Sequence, residues 1–129
     1  MKSMIVDDEL MSRMMLTAII GLHGECKQAA SGAEAVAYFS EALDAGSPYD
    51  LVCLDLEMPG MNGLEALGRI RETVRARGAC PPFKVFIMTG GNHADDLDQG
   101  LLGGEFDRYF LKPYNREVIL RTLDEYGLR

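Results

Sequence analysis

The run Asp50-Leu51-Val52-Cys53-Leu54, which ends on Asp55, constrains this chain more than any other segment. Four consecutive apolar residues leave neither face for water, and a strand of that kind is buried on both sides, as in parallel sheets. Parallel neighbours need long crossover connections, usually helices. The rest of the sequence supplies both parts. Ser3-Met4-Ile5-Val6 and Phe83 to Met88 are similar apolar runs, Glu25 to Ala30 is a weaker one, and Phe106 to Leu111 is the last. Between them lie segments of helical period. Met14, Met15, Ala18, Ile19 and Leu22 mark one apolar stripe. Ala35, Val36, Phe39 and Leu43 mark a second, opened by Ser31 as an N-cap with Glu34 three residues on. Leu64, Leu67, Ile70 and Val74 mark a third, a fourth helix is expected around Ala94 to Leu102, and Val118, Ile119, Leu120, Leu123 and Tyr126 give the fifth its inward face. Five strands alternating with five helices predict a doubly wound α/β sheet with helices on both faces.

Composition narrows the function classes. A chain of 129 residues supports one core, and 47% hydrophobic with 26% charged residues excludes wholesale disorder. Thirteen basic against twenty acidic side chains leave a net charge of −7. Such a surface repels phosphate backbones and anionic lipid, so direct nucleic-acid binding and membrane insertion are not expected. Cys26, Cys53 and Cys80 are an odd number with no C-x-x-C pair, and read as reduced, mostly buried thiols rather than a disulfide framework or zinc site. Asp7, Asp8 and Glu9 interrupt any leader-like N-terminus, and the stretch Met14 to Leu22 is too short to span a bilayer. A cytoplasmic domain is the expectation.

In doubly wound sheets the ligand site lies beyond the carboxyl ends of the strands. Here the first strand delivers Asp7 and Asp8, the third Asp55, the fourth Thr89 and the fifth Lys112. Three gathered carboxylates repel one another and call for a counter-charge. Oxygen-only ligands suit a hard cation, Mg²⁺ above all. A lysine and a hydroxyl opposite the metal would cradle a phosphoryl group, and a carboxylate can itself be the nucleophile. Residue by residue, plainer roles stay open. Asp7 and Asp8 could cap the first helix; Thr89 could be a strand-end hydroxyl satisfied by backbone, Lys112 a solvated charge and Tyr109 a fixed half-buried ring. Met11, Met14 and Met15 read as core and surface fillers, His23 and His93 as surface residues, and Asp95, Asp96 and Asp98 as a solvated face.

Four blocks in register resemble the receiver domains of bacterial two-component response regulators. They are Val6-Asp7-Asp8-Glu9, Leu54-Asp55-Leu56-Glu57-Met58-Pro59-Gly60-Met61-Asn62-Gly63, Met88-Thr89-Gly90 and Tyr109-Phe110-Leu111-Lys112-Pro113. The resemblance covers essentially the whole chain, residues 1–129, as one receiver domain. It implies a flavodoxin-like, five-stranded parallel sheet in the order 2-1-3-4-5. It implies that Asp55 accepts a phosphoryl group from a sensor kinase's phosphohistidine. Asp8 would be a direct Mg²⁺ ligand, Asp7 would act largely through water, and the backbone carbonyl of Glu57 would be a further ligand. Thr89 would bind the phosphoryl group, Lys112 would pair with it, and Tyr109 would be the aromatic whose rotamer reports phosphorylation. The Lys112-Pro113 bond would be cis. The domain would be a regulatory phosphoacceptor rather than an enzyme, assisting its own phosphorylation and dephosphorylation. Its partners would be a sensor histidine kinase or phosphotransfer protein, and a downstream protein met through the fourth helix, fifth strand and fifth helix. Two departures stand out: an acid, Glu57, two residues after the phosphoacceptor, and the small pair Gly90-Gly91 after Thr89.

Three competitors are weaker. A docking module independent of phosphorylation has no use for the full set Asp7, Asp8, Asp55, Thr89 and Lys112. A haloacid-dehalogenase-type phosphatase wants a second aspartate where this chain has Glu57. A flavin-binding domain wants a Ser/Thr- and Gly-rich loop after the first strand, where Asp7 and Asp8 would repel the phosphate.

Overall fold

The computed structural model describes residues 1–78, 80–91, 97–100 and 103–129. The strands are Lys2–Val6 (β1), Glu25–Ala29 (β2), Leu51–Asp55 (β3), Lys84–Thr89 (β4) and Arg108–Leu111 (β5). The helices are Leu10–Ile20 (α1), followed by one 3₁₀ turn at Gly21–His23, then Gly32–Asp44 (α2) and Gly63–Arg77 (α3). Residues 97–100 are helical (α4), and Arg116–Glu125 forms α5. The rest of the fourth helix expected around Ala94 to Leu102 lies outside the described residues. All pairings are parallel, in the order β2-β1-β3-β4-β5. This is the doubly wound sheet that the alternation of apolar runs and helical segments predicts, in the flavodoxin-like order that the resemblance implies.

Strand alternation divides the core into two layers. Met4, Val6, Val52, Leu54, Val85 and Ile87 point to one face, where Phe39 of α2 and Leu67 and Ile70 of α3 cover them. Ile5, Leu51, Cys53, Phe86 and Met88 point to the other, against Leu16, Ile19 and Ile20 of α1 and Ile119 and Leu123 of α5. The central strands β1, β3 and β4 are therefore apolar on both sides, whereas β2, at the sheet edge, is mostly exposed. Local signals fix the helix ends. Ser31 accepts from the Glu34 amide at 3.1 Å, as the Ser-x-x-Glu spacing predicts. Asn62 accepts from the Glu65 amide at 2.9 Å and opens α3, which closes on Gly78 at φ +76°, a left-handed cap that suits glycine.

The phase of α1 departs from the sequence reading. Its buried residues are Ser12, Leu16, Ile19 and Ile20. Met14 (52% exposed) and Met15 (50%) lie on the outer face with Met11 and Ala18, and Leu22, in the 3₁₀ turn that follows, is 70% exposed, so the expected stripe faces water except at Ile19. Both stripes have the same helical period, and periodicity alone does not say which one meets the sheet. In α5, Ile119 and Leu123 are buried as expected and Leu120 and Tyr126 are partly so, but Val118 turns outward. Of the thiols only Cys53 is fully buried; Cys26 and Cys80 are half-buried. Among the described residues, no helix is long and apolar enough to cross a membrane.

The corrected phase of α1 has a measurable outcome. Leu16→Ala should cost about 2–5 kcal/mol in urea denaturation, whereas Met14→Ser should stay within about 0.5 kcal/mol of the parent. Comparable losses would show that the outer stripe carries core packing.

Candidate functional site

Parallel pairing brings four strand ends to one edge. The Asp7 amide, just beyond β1, continues the ladder by donating to the Ala29 carbonyl at 3.1 Å. Asp55 closes β3, and the next amide, Leu56, donates to the Met88 carbonyl at 2.8 Å. Lys112 follows β5, and its amide donates to the Thr89 carbonyl at 2.7 Å, which ties the last two strand ends together. The start of α3 presses against the same edge. The Gly63 amide donates to the Leu56 carbonyl at 3.1 Å, and a Cβ at Gly63 would collide with the Asp55 carbonyl. Only glycine permits that approach, which accounts for the Asn62-Gly63 pair. The Lys112-Pro113 peptide is cis.

The side chains converge on the carboxylates. Lys112 Nζ lies 3.1 Å from Asp7 Oδ2 and 3.3 Å from Asp55 Oδ1. One carboxylate oxygen each from Asp7, Asp8 and Asp55 lies within 4.8 Å of the others. Asp7 is 2% exposed and Asp55 3%, while Asp8 is open to solvent. The N-cap position of α1 is Glu9, with no side-chain cap, so the helix-cap role left open for Asp7 is not the one it plays. Asp7 Oδ1 accepts the Glu9 amide at 2.9 Å, its carbonyl accepts Arg13 Nη1 at 2.7 Å, and Oδ2 is left for the ammonium.

Burial and the neighbouring Asp7 charge push the Asp55 carboxyl up to about 6, against the opposing pull of Lys112 and the Glu57 amide. Burial disfavours the Lys112 ammonium, but Tyr114, Asp7 and Asp55 outweigh it and hold the lysine charged above its ordinary range. One ammonium thus serves two buried carboxylates. A hard divalent cation fits this donor set, since it would meet oxygen ligands only and supply the charge that one lysine cannot.

The remaining expected residues are also accounted for. Thr89 is fully buried; its Oγ1 accepts the Gly91 amide at 3.2 Å and donates to Glu57 Oε1 at 3.1 Å. Tyr109 packs edge-on against Phe106 and donates its hydroxyl proton to Asp98 Oδ1 of α4 at 2.7 Å. Asp98 is exposed but is the partner of Tyr109 rather than merely part of a solvated face; Asp95, Asp96 and His93 lie outside the described residues. The Glu57 and Asp98 contacts were not foreseen in the sequence. The oddity of an acid at position 57 was the only signal. Tyr114 is a further residue that motif reading passes over: its hydroxyl is buried with no hydrogen-bond partner among the described residues, and burial raises its pKa.

A family model for the response regulator receiver domain matches residues 4–124. The chain belongs to that family. Receiver domains are the regulatory phosphoacceptor switches of two-component systems, and they interact with histidine kinases or phosphotransfer proteins. Among curated relatives of this receiver domain, the nitrate/nitrite response regulator NarL of Escherichia coli K12 is 31% identical over 128 residues, 95% of this chain and 52% of NarL. The transcriptional regulatory protein CitT of Halalkalibacterium halodurans is 36% identical over 96 residues, 74% of this chain and 37% of CitT. The chain thus spans about half or less of the length of these relatives. Among solved structures, Vibrio cholerae chemotaxis protein CheY4 superposes with a TM-score of 0.76 at 26% identity, covering 96% of each chain. A Borrelia burgdorferi CheX-CheY-BeF₃-Mg²⁺ complex gives a TM-score of 0.80 at 25% identity, covering 99% of this receiver domain and 90% of the matched chain.

Burial of charge at Asp55 has a cost in stability with a definite sign. The carboxyl's folded pKa lies above its unfolded value of 3.8, so between pH 4 and 6 the folded state binds more protons and stability falls as pH rises. In chelator at pH 7.5, Asp55→Asn should therefore raise unfolding free energy by about 1–3 kcal/mol, and the gain should shrink as pH drops below 6. Urea denaturation at both pH values checks this. A destabilised variant, or a gain independent of pH, would contradict it.

Proposed function

We propose that residues 1–129 act as one phosphorylation switch in which Asp55 takes a phosphoryl group from a phosphohistidine of a sensor kinase or phosphotransfer protein. The observation that carries this reading is the Lys112 ammonium held between the buried carboxylates of Asp7 and Asp55, with the Thr89 hydroxyl at the adjoining strand end. In the transfer, an Asp55 carboxylate oxygen bonds to phosphorus as the phosphorus–nitrogen bond breaks, and the leaving imidazole keeps the electron pair. Asp55 is ionised above about pH 6, so the nucleophile is available at neutral pH. Lys112 then turns from counter-ion of two carboxylates to partner of the phosphoryl oxygens, and Thr89 can donate its hydroxyl proton to them.

We assign Mg²⁺ to Asp7, Asp8, Asp55 and the Glu57 carbonyl, with Asp7 acting largely through water. The chemistry a bound Mg²⁺ supplies is neutralisation of the charge that builds on the phosphoryl oxygens beside these carboxylates. The Borrelia complex, which holds Mg²⁺ and the phosphoryl mimic BeF₃⁻, supports that assignment by similarity. Phosphorylation adds nearly two negative charges at Asp55. Thr89 moving toward them would vacate space into which Tyr109 turns, biasing a two-state element rather than creating a new one. The output surface on this reading is α4, β5 and α5, where Leu111 and Val118 stand exposed beside Tyr109. A cytoplasmic location suits a partner of kinases. The reading that the chain is only a docking module leaves the whole constellation without a purpose.

Incubation with Mg²⁺ and a small phosphodonor should add one base-labile phosphoryl group. Asp55→Asn or chelation of Mg²⁺ should abolish labelling, and Lys112→Ala should leave the group attached but impair the structural response. Equal labelling of Asp55→Asn would put the acceptor elsewhere, and undiminished labelling in chelator would remove the metal assignment.

A further inference from the structure

We infer that Glu57 is a positioning residue that holds the Thr89 hydroxyl in its resting place and must surrender it when the switch is thrown; the inference rests on the phosphoacceptor reading above. A threonine hydroxyl has one proton to donate. In this structure that proton goes to Glu57 Oε1 at 3.1 Å, while the Gly91 amide occupies the acceptor side of the same oxygen at 3.2 Å. The Thr89 side chain is fully buried, so its rotamer is set by these partners and by packing rather than by solvent. A phosphoryl group on Asp55 can gain the proton only by taking it from Glu57.

The competition is between like acceptors. A carboxylate is an anionic oxygen acceptor, as a phosphoryl group is, and hydrogen bonds to either are stronger than neutral ones. Glu57 therefore occupies at rest the role the phosphoryl group would fill. It is well placed to do so: its backbone is two residues from Asp55, and its amide faces Asp55 Oδ1 at 3.4 Å. The carboxylate reaches across to β4 from the rim of the site, where the residue is exposed. The consequence is a threshold. The resting arrangement is favoured by a bond that a neutral, non-hydrogen-bonding side chain at position 57 could not make, and a phosphoryl group must outbid it before Thr89 and then Tyr109 respond.

The test uses the full chain, Mg²⁺ and beryllofluoride as the phosphoryl mimic, with two readouts. The Gly91 amide signal in NMR spectra reports the position of Thr89 Oγ1, its acceptor. In metal-free protein, Glu57→Ala should move that signal toward its beryllofluoride-bound position, while Glu57→Gln, which keeps an acceptor oxygen, should leave it near the parent. Beryllofluoride should bind Glu57→Ala about tenfold more tightly, the scale of one charge-assisted hydrogen bond. That gain should vanish in the Thr89→Val background, where no proton is contested. If Glu57 acts by repelling the anion directly, the gain will persist undiminished beside Thr89→Val and appear equally in Glu57→Gln, and the inference is wrong. An unmoved Gly91 signal in Glu57→Ala also overturns it, whatever the Thr89→Val variant does. Failure of beryllofluoride to bind the parent protein at all would be a different result, overturning the phosphoacceptor reading and this inference with it.

Discussion

The contact on which the site depends is the Lys112 ammonium, 3.1 Å from Asp7 Oδ2 and 3.3 Å from Asp55 Oδ1. Two carboxylates this deeply buried repel each other and lose their hydration, and the lysine is what allows both to stand at one strand edge. Burial and the neighbouring Asp7 charge still outweigh the lysine, which is why Asp55 is held at about 6 instead of the ordinary carboxylate range. Three features of the fold hold this arrangement in place. The double-sided burial of β1, β3 and β4 aligns the strand ends, Gly63 lets α3 press against Asp55, and the Lys112 amide is tied to the Thr89 carbonyl. Functional sites commonly store destabilisation of this kind and are supported by the packing around them.

Much of this was legible in the sequence because it depends on short-range patterns. The apolar run Leu51 to Leu54 could only be an interior strand, and the period-2 division of β1, β3 and β4 between two helical layers follows from it. The strand-end residues Asp7, Asp8, Asp55, Thr89 and Lys112 could be collected by asking what each strand delivers. The order of the strands and the family followed from resemblance, since no local pattern says which strand lies beside which.

What the sequence withheld depends on three-dimensional reach. Two apolar stripes of equal period compete in α1, and the one carrying Met11, Met14, Met15 and Ala18 faces outward because Leu16, Ile19 and Ile20 meet the sheet. The contacts of Glu57 with Thr89 and of Asp98 with Tyr109 join residues 32 and 11 positions apart, and they turn on the direction of flexible side chains. Each attaches an acid to a residue of the proposed relay. The resting state is thereby specified by hydrogen bonds as well as by packing.

Carbon-13 NMR titration of the Asp55 carboxyl, with and without Mg²⁺, tests the central electrostatic claim most directly. In chelator the carboxyl should titrate near 6, and saturating Mg²⁺ should draw the midpoint down toward the ordinary carboxylate range, because the cation supplies the missing counter-charge. A midpoint already ordinary in chelator, and unmoved by Mg²⁺, would mean that the buried carboxylates are fully compensated by Lys112 and that the strand-end cluster is not built to receive a cation and a phosphoryl group.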